Sequence, residues 1–207
     1  MKRREFLTSS LAAGAAFGFP ALVSARSPNA KVCHACIGTH GMAGADMRTF
    51  AGFKDILDVV AVCDVDAAYL AEAKKLLPNA RVYRDWRELL AAEGDRIDAV
   101  NVSTPDHTHT IVSANAMRRG KHVYCQKPLC KKLDECRLLR RLAAETGVTT
   151  QLGTQFASGL GDRQIVAFLQ QGVIGPVTRV CLYSTRNGMS RVRRVLEAPA
   201  PVPANLD

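Results

Sequence analysis

Aromatic residues are scarce, 6% of the 207-residue chain with a single Trp, and they do not interleave with its basic clusters. No nucleic-acid motif accompanies those clusters. The formal charge of +9 therefore reads as a solvated basic surface with some attraction for anionic ligands, and no nucleic-acid partner is expected. Residues 1–25 hold net +2 of that charge (Lys2, Arg3, Arg4 and Glu5), which leaves +7 spread along helix-like segments and the tail. Only one C-x-x-C pair stands out, Cys33 and Cys36. Ile37 follows it, so the haem-attachment pattern fails, and no second pair stands at zinc spacing; no metal site is expected. Seven cysteines are an odd number, and Cys33, Cys63, Cys125 and Cys181 fall in apolar strand-like runs, where a free thiol packs as a small hydrophobe. The apolar stretch from Leu11 to Phe19 is too short and too rich in Gly and Ala to span a membrane, so no stable membrane insertion is expected.

What is present suits a folded protein: 47% hydrophobic and 23% charged residues. The length accommodates one ordinary domain and part of another. At the start, Lys2-Arg3-Arg4-Glu5-Phe6-Leu7, the mildly apolar stretch and the small-residue site Val23-Ser24-Ala25 resemble a twin-arginine export signal over residues 1–25. A periplasmic or otherwise exported location is the expectation. That route carries proteins already folded, which suits a chain that captures its cofactor in the cytoplasm and keeps its thiols reduced at first.

The most informative stretch runs from Lys31 to Asp66. An apolar run (Val32 to Ile37) leads into a glycine-bearing turn (Gly38, Gly41, Gly44), a helix-like segment to Phe53, a second apolar run (Leu57 to Cys63) and then Asp64. Strand, glycine turn, helix and a strand ending in an acid make the mononucleotide-binding unit of a Rossmann fold. Glycine lets the main chain turn tightly and approach a pyrophosphate, whose charge is held by the free N–H groups and dipole of the helix start. Asp64 follows at a distance where its carboxylate accepts ribose hydroxyls and repels a 2′-phosphate, which favours NAD over NADP. One position departs from the G-x-G-x-x-G/A spacing: its second glycine is His40, an imidazole where backbone meets phosphate, while Ala43 is a tolerated third.

Beyond Asp64 the chain alternates regularly. Helical spacing over Ala67 to Leu77, a strand at Arg81 to Tyr83 and a helix N-capped by Asp85 and running to Glu93 come first. In that helix Trp86, Leu89 and Leu90 read as core. A strand at Asp98 to Ser103, a helix from Thr110 to Arg119 and a strand at His122 to Cys125 follow. A helix from Leu133 to Thr146 with Gly147 as its C-cap leads to a last strand at Val148 to Leu152. Such alternation implies a parallel sheet with right-handed crossovers. Ligands bind beyond the carboxyl ends of its strands, which marks Gly38 to Gly44, Ser103 to His109, and Gln126-Lys127-Pro128.

Three motifs in order, Asn101-Val102-Ser103-Thr104-Pro105-Asp106-His107-Thr108-His109, Gly120-Lys121-His122-Val123-Tyr124-Cys125-Gln126-Lys127-Pro128-Leu129 and Gln151-Leu152-Gly153-Thr154-Gln155, closely resemble the Gfo/Idh/MocA family, the glucose–fructose oxidoreductase and inositol dehydrogenase group. The likeness covers about residues 30–207, with the exported branch nearest. It implies an α/β fold: a Rossmann-type doubly wound parallel sheet over 30–150, followed over 151–207 by the truncated start of an α+β substrate domain. By resemblance, Gly38, His40, Gly41 and Met42 face the pyrophosphate of NAD(P), Asp64 faces the adenosine ribose, and Ser103, Thr104, Pro105, His107 and Gln126 border the dinucleotide. Lys127 matches the lysine of the family's E-K-P motif, near nicotinamide and substrate. There an amine accepts the hydroxyl proton of a sugar or polyol as hydride leaves carbon, and its ammonium form stabilises a developing alkoxide. For His107 and His109, hydrogen bonding at a helix start stands beside catalysis.

Two departures stand out besides His40. Gln126 replaces the motif's glutamate, which keeps shape and loses a negative charge. Gly172 to Tyr183 resembles the opening of the family's second domain and Val202-Pro203-Ala204-Asn205-Leu206-Asp207 the approach to its next segment, where the sequence stops, before the helix that carries the family's proton-transfer histidine. The expectation is a truncated chain. Three functions follow from the resemblance: an NAD-dependent oxidoreductase of sugars or polyols, an NAD-dependent glycosidase of the same family, or a non-catalytic nucleotide-binding remnant. Homo-oligomers are expected of the full-length family form.

Overall fold

The computed structural model describes residues 31–181 and 202–206. The expected export signal over 1–25, the end of the apolar run at residues 182 and 183, and Asp207 lie outside the described residues. Six strands alternate with helices in the described chain. They are β1 (Val32–Ile37), β2 (Leu57–Cys63), β3 (Arg81–Tyr83), β4 (Ala99–Val102), β5 (His122–Gln126) and β6 (Thr150–Gly153). The helices are α1 (Met42–Gly52), α2 (Ala67–Leu76), α3 (Trp86–Glu93), α4 (His109–Arg118), α5 (Leu133–Thr146) and α6 (Leu160–Gln170). A short 3₁₀ turn, Asp106–Thr108, leads into α4.

All strand pairs are parallel, in the order β3-β2-β1-β4-β5-β6. This is the doubly wound order, with its reversal between β1 and β4, where the connections that follow two neighbouring parallel strands diverge to opposite sides and open a crevice at the strands' carboxyl ends. Burial on both faces explains why the central strands read as near-continuous apolar runs. Two apolar clusters result. One contains Ile37, Leu89, Leu90, Val100, Val112 and Leu139, and the other contains Cys36, Met47, Val62, Leu70 and Ala73. Consecutive residues Cys36 and Ile37 thus serve opposite faces of the sheet, as strand alternation requires.

Local chemistry sets the helix starts and stops. Asp66 caps α2 by accepting from the backbone N–H groups of Ala68 and Tyr69, at 2.8 and 3.4 Å. Asp85 caps α3 through Arg87 N at 2.7 Å. Gly147 ends α5 in the left-handed conformation, φ 67°. Buried Glu93 receives Arg81 and Tyr83, tying β3 to α3. Burial pushes its carboxyl up, but these two donors hold it below the usual carboxylate range.

Three sequence expectations are corrected, and one helix is added. Helix α4 opens at His109, one residue early, because the 3₁₀ turn runs straight into it. The last strand begins at Thr150, since only residues 150–153 find partners on β5. Residues 177–181 form no strand; they are exposed and no described strand offers them a ladder, so Cys181 is a surface thiol and not a core one. Helix α6 was not anticipated, although Ile165, Val166 and Leu169 follow helical spacing; they remain exposed in the described chain.

Candidate functional site

A cavity of about 810 Å³ opens where β1, β2, β3 and β4 end. Each strand contributes one part of its lining. After β1 come Gly38, His40, Met42 and Ala43; after β2, Asp64, Val65 and Asp66; after β3, Arg84, Trp86 and Arg87; after β4, Ser103, Thr104, Pro105 and His107. Tyr69 of α2 and Leu206 complete it. Eight of the sequence-derived site residues therefore share one space: Gly38, His40, Met42, Asp64, Ser103, Thr104, Pro105 and His107.

The glycine turn has two distinct demands. At Gly38, φ is +95° and a Cβ would stand 2.6 Å from the carbonyl oxygen of Ser103, so only glycine lets β1 and β4 end this close together. Gly41, φ +59°, has open space where a Cβ would project, and it precedes α1 as its N-cap. No side chain caps α1 and its first turn holds no acid. Free N–H groups and the positive end of the dipole meet the cavity through Met42 and Ala43, which fits an anionic diphosphate. Gly41 itself lines a smaller adjoining depression that shares His40.

His40 does not plug the turn. Its ring stacks on Tyr69, centroids 3.9 Å apart and 6° from parallel, with Nδ1 3.8 Å from the Glu72 carboxylate. The cavity therefore persists beside an imidazole drawn onto α2.

Asp64 is held firmly by protein donors. Thr39 donates to Oδ2 from both its backbone N–H, 2.8 Å, and its hydroxyl, 2.9 Å, and Asp66 N donates to Oδ1 at 3.1 Å. A carboxylate offers about four acceptor positions. Two of these donors occupy Oδ2 and one occupies Oδ1, which leaves one acceptor position on Oδ1 unfilled by these bonds. Both arginines of the lining are engaged by neighbours: Arg87 pairs with Asp85 at 3.1 Å and lies 4.6 Å over the Trp86 ring, and Arg84 donates to the Val65 carbonyl at 3.1 Å. Trp86, read from sequence as core, packs against the apolar cluster and also lines the cavity.

Gln126 and Lys127 stand apart from the lining. Gln126 is buried at the end of β5, and Lys127 is exposed on the loop beyond it. A directional hydrogen-bond chain lies beneath the cavity. Asn101 Nδ2 donates to Ser103 Oγ at 3.0 Å, Ser103 Oγ donates to Asp46 Oδ2 at 2.7 Å, and Gln126 Nε2 donates to the same oxygen at 3.0 Å. Gln126 Oε1 then accepts the Lys127 backbone N–H at 2.9 Å. At the other end, buried His34 contacts Asn101 Oδ1 through Nε2 at 3.0 Å, and burial lowers its pKa to about 4 despite that bond. Asp46, Asn101 and His34 were missed in the sequence reading. Their signal was polarity inside apolar strands and on the helix that follows the glycines.

His109 is 1% exposed. Its Nδ1 lies 2.6 Å from the Pro128 carbonyl and its Nε2 lies 2.8 Å from the Thr104 carbonyl. Carbonyl oxygens only accept, so two such bonds require both nitrogens protonated. Burial opposes that charge, but the Cys125 sulfur and the two carbonyls outweigh it and raise the pKa to about 9. The imidazolium pins the β4 exit loop to the β5 exit loop. His107 lines the cavity instead.

Other chemistry is not assembled. All seven cysteines are free, and burial pushes the Cys36 thiol far above its ordinary value and that of Cys63 to about 12, which leaves both inert. Among the described residues no group of three His, Cys, Asp or Glu is placed to hold a metal, and no helix is long and apolar enough to cross a membrane.

Comparison with known proteins agrees with this geometry. Residues 33–154 match the Gfo/Idh/MocA oxidoreductase family with its NAD-binding Rossmann fold. An inositol 2-dehydrogenase of Burkholderia multivorans is 31% identical over 144 residues, 68% of this chain and 41% of that protein. A glycosyl hydrolase family 109 protein of Stenotrophomonas maltophilia is 34% identical over 137 residues, 61% of this chain and 29% of that protein. In structure, scyllo-inositol dehydrogenase of Lactobacillus casei, solved with bound NAD(H) and scyllo-inositol, superposes with a TM-score of 0.67 at 23% identity, over 72% of this chain and 44% of that one. The chain spans about two fifths or less of the length of these curated relatives. It belongs to the Gfo/Idh/MocA oxidoreductase family, whose domain over residues 33–154 has the NAD-binding Rossmann fold.

Proposed function

We propose that this chain holds NAD for hydride transfer with a sugar or polyol. One observation carries the reading: an uncapped helix start and a glycine turn open into a cavity walled by Asp64 on one side and by Ser103 to His107 on the other. Bound NAD would supply the nicotinamide as hydride acceptor. The residues of this chain do the holding. Met42 and Ala43 present backbone N–H groups to the diphosphate, Asp64 offers Oδ1 to a ribose hydroxyl, and Thr104 and Pro105 border the dinucleotide beyond β4. The Asp64 carboxylate repels a 2′-phosphate, and the engaged state of Arg84 and Arg87 supports NAD over NADP.

Lys127 is the candidate base, receiving the substrate hydroxyl proton. Gln126 fixes the backbone from which Lys127 projects, through the bond from Lys127 N. His109 orients the same loop through the Pro128 carbonyl. Residues 1–25 support export by the twin-arginine route as part of this proposal.

A second reading, an NAD-dependent glycosidase, is favoured by the glycosyl hydrolase family 109 relative. Incubating the chain with NAD and a panel of polyols and glycosides separates the possibilities. Net NADH formation that disappears in Lys127→Met supports the oxidoreductase. Sugar release without net NADH supports the glycosidase. Neither reaction, with NAD binding intact, leaves nucleotide binding as the chain's role.

A further inference from the structure

The turn over residues 202–206 returns to the cavity from far along the sequence. The Asn205 carbonyl accepts the backbone N–H of Ala67, the first residue of α2, at 3.0 Å. Its side-chain nitrogen donates to Asp66 Oδ2 at 2.8 Å. Leu206 N closes the turn on the Pro203 carbonyl at 3.1 Å, and the Leu206 side chain joins the lining beside Val65 and Trp86.

These contacts continue into the ribose-facing acid. Asp66, only 7% exposed, has its Oδ1 committed to the cap of α2 and its backbone N–H bound to Asp64 Oδ1. Asn205 fills Oδ2 and so completes the Asp66 carboxylate. The orientation of Asp64 then rests on Thr39 from one side and on Asp66, steadied by Asn205, from the other. The lining near this polar pair also offers exposed apolar side chains, Val65 at 54% and Leu206 at 37%, with Arg84 donating to the Val65 and Asn205 carbonyls. Exposed apolar faces flanking a fixed carboxylate suit a ligand with a flat aromatic ring joined to a hydroxyl-bearing sugar.

We infer that residues 202–206 form the outer wall of the nucleoside end of the cavity, with Leu206 packing on the base and Asn205 as a positioning residue for Asp66 and Asp64. The inference rests on the proposed dinucleotide role and extends it to a segment outside the family match, which ends at residue 154.

The test uses the full chain. Trp86 is its single tryptophan and lines the same space, so intrinsic fluorescence reports occupancy there during titration with AMP. Leu206→Ala and Asn205→Ala are expected to weaken AMP binding about 3- to 10-fold with little change in thermal midpoint, since both sit on an exposed turn. Amide exchange at Ala67 gives a second readout that needs no nucleotide. The first N–H groups of a helix lack intrahelical partners, so protection there reports the Asn205 carbonyl. Protection in the native chain, reduced about 10-fold in Asn205→Ala, supports the docked turn. An unprotected Ala67 in the native chain overturns it. If the native chain binds AMP and both variants bind it equally or more tightly, the wall is refuted and the nucleotide site stands. If the native chain binds neither AMP nor NAD, the dinucleotide reading itself fails.

Discussion

The amide nitrogen of Gln126 donates to the carboxylate of Asp46 at 3.0 Å, across eighty residues of sequence. This bond accounts for a motif departure that looked like a loss. A glutamate at position 126 would set two carboxylates at hydrogen-bond distance in a buried site, and like charges that close do not both ionise. Glutamine supplies a donor to Asp46 and keeps an acceptor for Lys127 N.

Gln126→Glu is therefore expected to lose about 1–3 kcal/mol of stability at neutral pH. One carboxyl of the new pair would titrate above its ordinary range, so the loss fades in acid and grows as pH rises through the raised value. Asp46→Asn in the same chain restores most of it, because an amide at 46 can donate to the new carboxylate. Urea denaturation of the two single variants and the double variant between pH 4 and 8 measures all three effects; a double variant no better than Gln126→Glu would count against the pairing.

Two buried histidines set opposite pH limits. His109 titrates near 9 in the folded chain, above its ordinary 6.5. Its contribution is complete below about 6.5 and is lost as pH rises through about 9, at roughly 1.4 kcal/mol per pH unit at most. His34, held neutral with a pKa of about 4, contributes fully above about 6.5, and that contribution is lost as pH falls through about 4. Denaturation midpoints of native chain, His109→Gln and His34→Gln between pH 4 and 10 should show alkaline sensitivity blunted only in the first variant and acid sensitivity blunted only in the second.

Glycines 38 and 41 should fail in different ways. Gly38→Ala forces a Cβ against the Ser103 carbonyl at a positive φ, and a loss above about 2 kcal/mol in chemical denaturation is expected. Gly41→Ala meets open space and pays mainly for its backbone conformation, about 1–2 kcal/mol. Because Gly41 opens onto the start of α1, that variant should also weaken NAD binding measured by calorimetry under conditions where it remains folded.

Asp64→Ala should relax discrimination between NAD and NADP, bringing calorimetric affinities that favour NAD at least several-fold toward equality. The variant also frees the Thr39 hydroxyl and two backbone N–H groups. A lower midpoint is therefore expected alongside, and an unchanged affinity ratio would assign discrimination to another residue.

Much of the sheet was legible because periodicity and punctuation agreed. The apolar runs at 32–37 and 57–63, the Asp85 cap and the Gly147 stop each rest on local physics that the fold leaves undisturbed. The reading failed where a residue's role depends on distant partners. Nothing near Asp46 in sequence announces Ser103 or Gln126, nothing near Trp86 announces a cavity, and Asn205 meets Asp66 only in space. His40 shows the same limit: the motif spacing sets an imidazole where backbone meets phosphate, whereas Tyr69, one helix away, receives the ring.

Amide chemical-shift mapping of the full chain during NAD titration tests the central claim most directly. Saturable shifts at Gly38, Met42, Ala43, Asp64 and Thr104, extending to the Lys127 amide on the loop after β5, are the expected result. The absence of saturable shifts at millimolar NAD, or shifts confined to α5 and α6, would contradict a dinucleotide lying across the ends of β1 and β4.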